Sequence, residues 1–280
     1  DKNIVSKIPT SFTVFHDVTE VGMDERAKQI SSFIEKQAQE KRLSELQLTM
    51  EKITPLKIEY VNTASPQQMI GEFGGAILPY LFIAFGFIGC MYPAIDLFTG
   101  EKERGTIETL LTAPVQRWKI LIGKMLVVIL SGLTASTFAL IGLWISIEFL
   151  DIVKDPSILA IIHDILSPFF LMGMFGLLIP LTVFFAGVMV PIAIYAKSFK
   201  EAQSIITPLN IVMVLPAMVG FFPGIGLDFV TACVPVVNVV LASKELIAGT
   251  LDWSYYCLSL SVMILIASMA VLVSFRQFGK

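Results

Sequence analysis

The chain has 280 residues, of which 55% are hydrophobic and only 15% are charged, and its formal net charge is −3. Soluble domains carry about a quarter charged residues, so this composition predicts a protein of the lipid bilayer. The small net charge argues against nucleic-acid binding. The 3 scattered cysteines exclude a disulfide framework and a thiolate metal site, and the 2 histidines leave a metal hydrolase almost without ligands.

Charged side chains are concentrated in the first part of the chain. Residues 1–72 hold 9 of the 20 basic and 11 of the 23 acidic side chains, so we predict a water-soluble segment, 1–72, followed by a membrane domain, 73–280. Residues 24–52 have a helical pattern, and residues 55–61 alternate as in a strand. This indicates a small α/β segment, which serves either as a structural lid or in substrate handling.

Five stretches without charge are long enough to cross the bilayer, because a spanning helix needs about 20 apolar residues. They are residues 73–95, 125–147, 165–196, 202–227 and 253–275. The third stretch is long enough to tilt or break at Pro180 or Pro191. The fold class predicted is therefore a mainly α, polytopic membrane protein with five transmembrane helices.

A sixth apolar run, residues 229–243, is too short to cross and contains Pro235. We interpret the surrounding region, residues 223–250, as an external segment that enters the membrane and returns.

The basic residues of the short loops predict the orientation of the spans, because such residues stay in the cytoplasm. Nine fall on one side: Lys102, Arg104, Arg117, Lys119, Lys124, Lys197, Lys200, Arg276 and Lys280. The short loops of the other side hold only Lys154 and Lys244. The 99–124 loop is therefore predicted to be cytoplasmic and residues 1–72 extracellular. An external segment without a signal peptide has to be translocated, so we expect a sixth, N-terminal span upstream of this sequence.

The first cytoplasmic loop contains a predicted short amphipathic helix within residues 99–114. Thr106 suits a helix N-cap, Glu108 an acid in the first turn, and Pro114 a stop. The apolar residues at i, i+3 and i+4 lie on one face: Ile107, Leu110 and Leu111. A helix of about two turns is unstable by itself in water. It needs a surface to pack on, either the membrane interface or another protein.

The loop sequence EKERGTIETLLTAP, residues 101–114, resembles the segment E-x-E-R-G-T-x-E-x-L-L of type-2 ABC export permeases. Further similarities to the sodium-efflux permeases of that family are GK at 123–124, AKSFKEAQ at 196–203, PVVN at 235–238 and KELIAG at 244–249. The resemblance covers residues 55–280. In this family the loop segment forms the coupling helix that docks on the ATPase subunit. It implies these coupling residues: Glu101, Glu103, Arg104, Gly105, Thr106, Ile107, Glu108, Leu110 and Leu111.

The resemblance also implies partners and a location. A permease of this kind pairs with a second copy of itself and with two ABC ATPase subunits, in the plasma membrane of a prokaryote. The pattern G-x-x-x-x-G-K-[ST] occurs nowhere in the chain, so we expect a transport subunit and not an enzyme. No cofactor or metal is expected on this chain. ATP and Mg²⁺ would be bound by the partner ATPase.

Polar side chains within the spans are the candidates for a substrate path. Their oxygens could replace part of the water shell of a small cation, although serine and threonine also bond to their own helix or mediate helix packing. The candidates are Ser131, Thr134, Thr137, Thr182, Thr207, Asn210 and, in the external run, Asn238.

Three functions are compatible with these observations. The first is the permease subunit of an ATP-driven exporter, with sodium as the ion carried. The second is an exporter of the same family for a lipid, a drug or a peptide. The third is a membrane sensor or anchoring protein, in which the external segment binds a ligand and the spans are tethers.

Overall fold

A computed structural model describes residues 10–16, 23–46, 56–63, 65, 67–68, 71, 75–106, 114–149 and 168–278. The chain divides into two compact units, Asp1–Ser65 and Pro66–Lys280.

The first unit is a small α/β arrangement. Strand β1 (Thr10–His16) pairs in parallel with strand β2 (Leu56–Asn62), in a register that places Thr10 opposite Leu56. Helix α1 (Met23–Leu46) connects the two strands, as parallel pairing requires a crossover. Its residues Ala27 and Ser31 are buried. The predicted helix and strand are thus confirmed, and β1 is the second short strand of the α/β segment.

Among its described residues, the second unit has five helices that are long and apolar enough to cross a membrane, which confirms the predicted fold class. The first is α2 (Ile77–Ala94), which continues without a break through a π-helical segment (Ile95–Gly100) into the single turn α3 (Glu101–Glu103). The others are α4 (Arg117–Phe149), α5 (Pro168–Tyr195), α6 (Phe199–Ala217) and a last helix, Trp253–Phe278.

The helix ends differ from the ends of the apolar stretches. Helix α4 begins at Arg117 and not at residue 125, because a helix can extend into water beyond its apolar part. Helix α6 ends at Ala217 and passes through a 3₁₀ turn (Met218–Phe221), so it does not reach residue 227. Pro216 and the glycine-rich residues 220–226 explain this earlier end. Helix α5 contains Pro180 and Pro191 and still runs unbroken.

Helix α5 is the most buried of the five spans and packs against α2, α4 and the last helix. The rings of Phe87 on α2 and Phe185 on α5 meet edge to face, with 5.2 Å between their centroids. Helices α2 and α4 approach closely at Gly132, where an added Cβ would overlap the Cys90 sulfur. The buried Ser136 hydroxyl of α4 donates a hydrogen bond of 3.1 Å to the Phe82 carbonyl of α2.

The run predicted to re-enter the membrane forms two short helices, α7 (Phe229–Ala232) and α8 (Val237–Ala248), and the last span is therefore α9. Asp228 caps α7: its carboxylate accepts the Thr231 N–H at 2.7 Å, and the Thr231 hydroxyl accepts the Asp228 N–H at 2.8 Å. Residues 237–244 of α8 are all buried. The depth of this segment in a membrane stays a prediction.

Candidate functional site

The predicted coupling region begins on the continuation of the first span. The helix of α2 widens into the π-helical segment, closes the single turn α3 and then turns at Arg104 and Gly105. Gly105 has φ +70°, a left-handed conformation that glycine adopts at no steric cost. Residues 99–103 therefore belong to the first helix, and the chain changes direction immediately after them.

Three side chains tie this region to the turn between α5 and α6. The buried Thr99 hydroxyl donates a hydrogen bond of 2.6 Å to the Ala193 carbonyl near the end of α5. The Lys102 ammonium donates to the Ala196 carbonyl at 3.4 Å. The Glu103 carboxylate accepts the Phe199 N–H at 3.1 Å and so caps the first turn of α6 from a different element. The end of the first span is thereby joined to both helices of the turn.

Other contacts join the same region to α4 and to itself. The Lys124 ammonium of α4 donates a hydrogen bond of 2.6 Å to the Leu97 carbonyl and forms an ion pair with the Glu101 carboxylate. The Arg104 guanidinium pairs with the Asp96 carboxylate at 2.8 Å. The four charged residues of the 101–104 motif thus all have partners within the chain, on α4, on the α5–α6 turn, on α6 and on the π-helical segment.

These contacts show how the charged half of the motif, residues 101–104, orients the chain that follows it. The Thr106 hydroxyl donates to the Glu101 carbonyl at 3.1 Å, which keeps the chain folded back on α3 as it leaves the helix. Residues 95–106, called the platform below, are therefore held by contacts to the neighbouring helices. The apolar half of the motif, residues 107–111, follows the platform directly in the chain. That half, with Ile107, Glu108, Leu110 and Leu111, lies outside the described residues.

No site role was predicted from the sequence for Asp96 and Thr99 of the platform, nor for Lys124 of α4, which contacts it. Lys124 counted only as a cytoplasmic charge. The sequence does contain a signal that Lys124 has a partner. A lysine directly before a long apolar run has to find hydrogen-bond acceptors or reach water.

The candidate path residues within the spans mostly bond to their own helices. The hydroxyls of Thr134, Thr137 and Thr207 donate to Ser131, Leu133 and Gln203 carbonyls at 2.9, 2.7 and 2.7 Å. Such a bond uses the hydroxyl proton and leaves the lone pairs of the hydroxyl oxygen available as acceptors.

Exposure separates these residues into three groups. Thr134 and Thr207 are exposed on the surface of the unit, and Ser131, Thr137 and Asn210 are half-buried. Thr182 is fully buried among the helices and donates to the Ile179 carbonyl at 2.8 Å. The structure therefore does not bring the seven predicted path residues together around one cavity of the described residues.

Asn238 has a complete set of internal partners. Its amide nitrogen donates to the Ala232 carbonyl at 3.1 Å and to the Ser259 carbonyl at 3.4 Å, and its oxygen accepts the Val239 N–H at 2.8 Å. It is fully buried, so these bonds hold α7, α8 and α9 together. Among the described residues, no three side chains of the His, Cys, Asp or Glu type are grouped as a metal site would require.

Comparison with known proteins gives one family. A model of the ABC-2 family transporter proteins matches residues 2–276. The ABC transporter permease protein NatB of Bacillus subtilis (strain 168) is 28% identical over 262 residues, which are 90% of this chain. The chain spans 66% of the length of that relative. No solved structure matches the chain.

Proposed function

Because this chain belongs to the ABC-2 family of transporter proteins, we propose that it is the permease subunit of an ATP-driven exporter. The observation that carries the proposal is the platform formed by residues 95–106. Its residues Glu101, Thr99 and Glu103 are bonded to α4, α5 and α6, so a force applied at residues 107–111 would reach several spans at once.

Two ATPase subunits and a second copy of the permease would complete the transporter. Closure of the ATPase dimer around ATP and Mg²⁺ would press the two coupling helices together and tilt the spans to open outward. The cost of breaking the contacts of the platform would come from ATP binding on the partner, and this chain would bind no nucleotide.

Sodium is the ion that we propose as substrate, on the basis of the resemblance of residues 123–124, 196–203, 235–238 and 244–249 to sodium-efflux permeases. The hydroxyls on α4 and α6 keep lone pairs that suit a small hard cation, and no carboxylate stands at the middle of a described span. A sodium ion would therefore cross hydrated and be held weakly.

An exporter of a lipid, a drug or a peptide is the second candidate, and one observation favours it. A groove of about 230 Å³ between α4 and α5 is almost wholly apolar and is lined by Thr137, Leu140, Ile141, Trp144, Leu171 and Phe175. Such a groove would suit an acyl chain or an aromatic compound better than an ion.

The two candidates differ in what stimulates the transporter. We would reconstitute the permease with a cognate ABC ATPase subunit and measure ATP hydrolysis. Sodium chloride should raise the rate and choline chloride at equal ionic strength should not. Stimulation by lipids or hydrophobic drugs, without a sodium effect, would instead support the second candidate. Purification of the permease without any ATPase would favour a sensor or an anchoring protein.

A further inference from the structure

Lys124 is a charged residue that the structure buries next to a span. Its side chain is 10% exposed, whereas Lys119, five residues earlier on α4, is exposed over the ring of its neighbour Trp118. The Lys124 ammonium has three partners: the Leu97 carbonyl at 2.6 Å, the Glu101 carboxylate and the Phe98 ring, whose centroid is 5.2 Å away. All three belong to residues 97–101, at the end of the first span.

The π-helical geometry of residues 95–100 explains why a backbone carbonyl is available there. A π-helical turn interrupts the regular i→i−4 ladder and leaves backbone groups in need of other partners. Lys124 supplies a donor from α4, and on the opposite side the Thr99 hydroxyl donates to the Ala193 carbonyl of α5. The widened turn is therefore clamped from both neighbouring helices.

The clamp from α4 differs from the clamp from α5 because it carries a charge. A buried ammonium is tolerated only while its acceptors and counter-ion stay in place. If residues 97–101 moved, Lys124 would have to move with them or reach water. The contact therefore favours two discrete positions, latched and released, over a continuous range.

We propose that Lys124 is a positioning residue that latches residues 97–101 to α4 and thereby sets the rest position of residues 101–106. The latch is a property of this chain without any partner. The proposed function enters only in one respect: if residues 101–111 meet an ATPase subunit, release of the latch is the first step by which the spans respond.

The test measures the rest position in the purified permease, in lipid nanodiscs and without ATPase. Exposed Cys233 and Cys257 are replaced by serine, and spin labels are attached at Thr106→Cys and Tyr195→Cys, which are both exposed positions. Pulsed electron paramagnetic resonance then gives the distribution of distances between the two labels. Labelled permease is diluted into an excess of unlabelled permease so that only distances within one copy are measured. The native chain should then give one narrow peak.

In the Lys124→Met variant, the single peak should be replaced by a broader distribution of distances or be joined by a second population. Lys119→Met is the matched control, because it removes the same charge from the same helix at an exposed position, and it should keep the native peak. Glu101→Gln keeps the shape of the acceptor but removes its charge. It should broaden the distribution even if Lys124→Met fails to fold.

A reversed pair separates positioning from general destabilisation. Lys124→Glu combined with Glu101→Lys restores the ion pair, so its distribution should be narrower than that of either single change. The proposal is overturned if Lys124→Met and Glu101→Gln both keep the native distribution, or if Lys119→Met broadens it equally. Because no ATPase is present, these outcomes are independent of whether the chain is a coupled exporter.

Discussion

The charged residues near the end of the first span contribute unequally to the stability of this region. The Arg104 and Asp96 side chains are 66% and 50% exposed, so their ion pair contributes at most about 1 kcal/mol. Glu103 caps a helix that belongs to another span, and Lys124 is buried with its counter-ion. The sequence identified Glu103 through a family motif and could not identify its bonding partner, because Phe199 lies far along the chain.

The predicted coupling helix allows a comparison of two substitutions in the same short segment. Leu111→Asp would place a charge on the only predicted apolar face, and an unpaired carboxylate in a dry cleft costs several kcal/mol. We therefore expect the purified permease to lose its ATPase partner at normal yield, since residue 111 is outside the spans. Glu108→Ala should retain most of it, because an exposed first-turn acid contributes only ~0.3–1 kcal/mol.

Co-purification in detergent measures both variants of the coupling helix, with permease yield as the control for insertion. If Leu111→Asp kept the full amount of ATPase and full transport, the helix would only rest on the membrane. The exporter assignment would then lose the docking step on which it depends.

Asp228 gives a prediction about pH. The N–H and the hydroxyl of Thr231 hold the pKa of the Asp228 carboxyl below its ordinary value, because they stabilise the charged form. A lowered pKa in the folded state means that the cap stabilises α7 above the ordinary pKa. Its contribution is lost as the pH falls through the lowered value.

Hydrogen exchange of a peptide covering residues 229–236 measures this cap. Asp228→Ala should exchange faster than the native chain at pH 7, and the ratio of the two rates should approach one in acid. Taking the ratio of the two rates at each pH cancels the pH dependence of the intrinsic exchange rate. Asp252→Ala, which removes a similar bond to the Ser254 N–H at the start of α9, should leave this peptide unchanged. A ratio independent of pH would contradict the assignment.

At the scale of the elements, hydrophobicity predicts that five spans exist but not how they end. The length of a charge-free stretch is set by the thickness of the bilayer and can be counted in the sequence. All five stretches correspond to helices. The ends depend on contacts between distant residues. The π-helical turn is held by Lys124 of α4 and by the hydrogen bond from its own Thr99 to the Ala193 carbonyl of α5, and no local pattern in residues 95–100 predicts it.

The close contact of α2 and α4 is also invisible in the sequence, because Gly132 looks like any glycine of a membrane helix. Gly132→Ala would place a Cβ against the Cys90 sulfur and 3.0 Å from the Gly86 carbonyl oxygen. Such overpacking costs typically about 1–3 kcal/mol, so we expect a lower Tm in detergent.

Gly142→Ala is the matched control on the same helix, because a Cβ there has nothing within 4 Å. Alanine exceeds glycine in helix propensity by about 0.8–1.0 kcal/mol, so this variant should match or exceed the native Tm. Thermal unfolding followed by tryptophan fluorescence compares the two. An equal Tm for both variants would mean that the helices do not touch at Gly132.

At the scale of the whole molecule, the distribution of charge is the strongest information on orientation. The platform residues Lys102 and Arg104, with Lys124 of α4, lie at the same end of the spans as Lys197 and Lys200, which stand just before and at the start of α6. The contacts of Lys102 and Glu103 join the two groups. Basic residues remote in sequence thus meet at one end of the bundle. This is the arrangement that the rule for cytoplasmic positive charge requires.

This arrangement predicts that residues 1–72 and the 151–164 loop face outside the cell. With Cys233 and Cys257 replaced by serine, cysteines introduced at positions 40 and 155 should react with a membrane-impermeant maleimide in intact cells. Lys119→Cys is the internal control: it is exposed on the first turn of α4, beside the platform, and should react only after permeabilisation. Reaction at positions 40 and 155 only after lysis would invert the topology. Residues 101–111 would then lie outside the cell, where no ATPase could reach them, and the coupling role proposed for the platform would fail with the orientation.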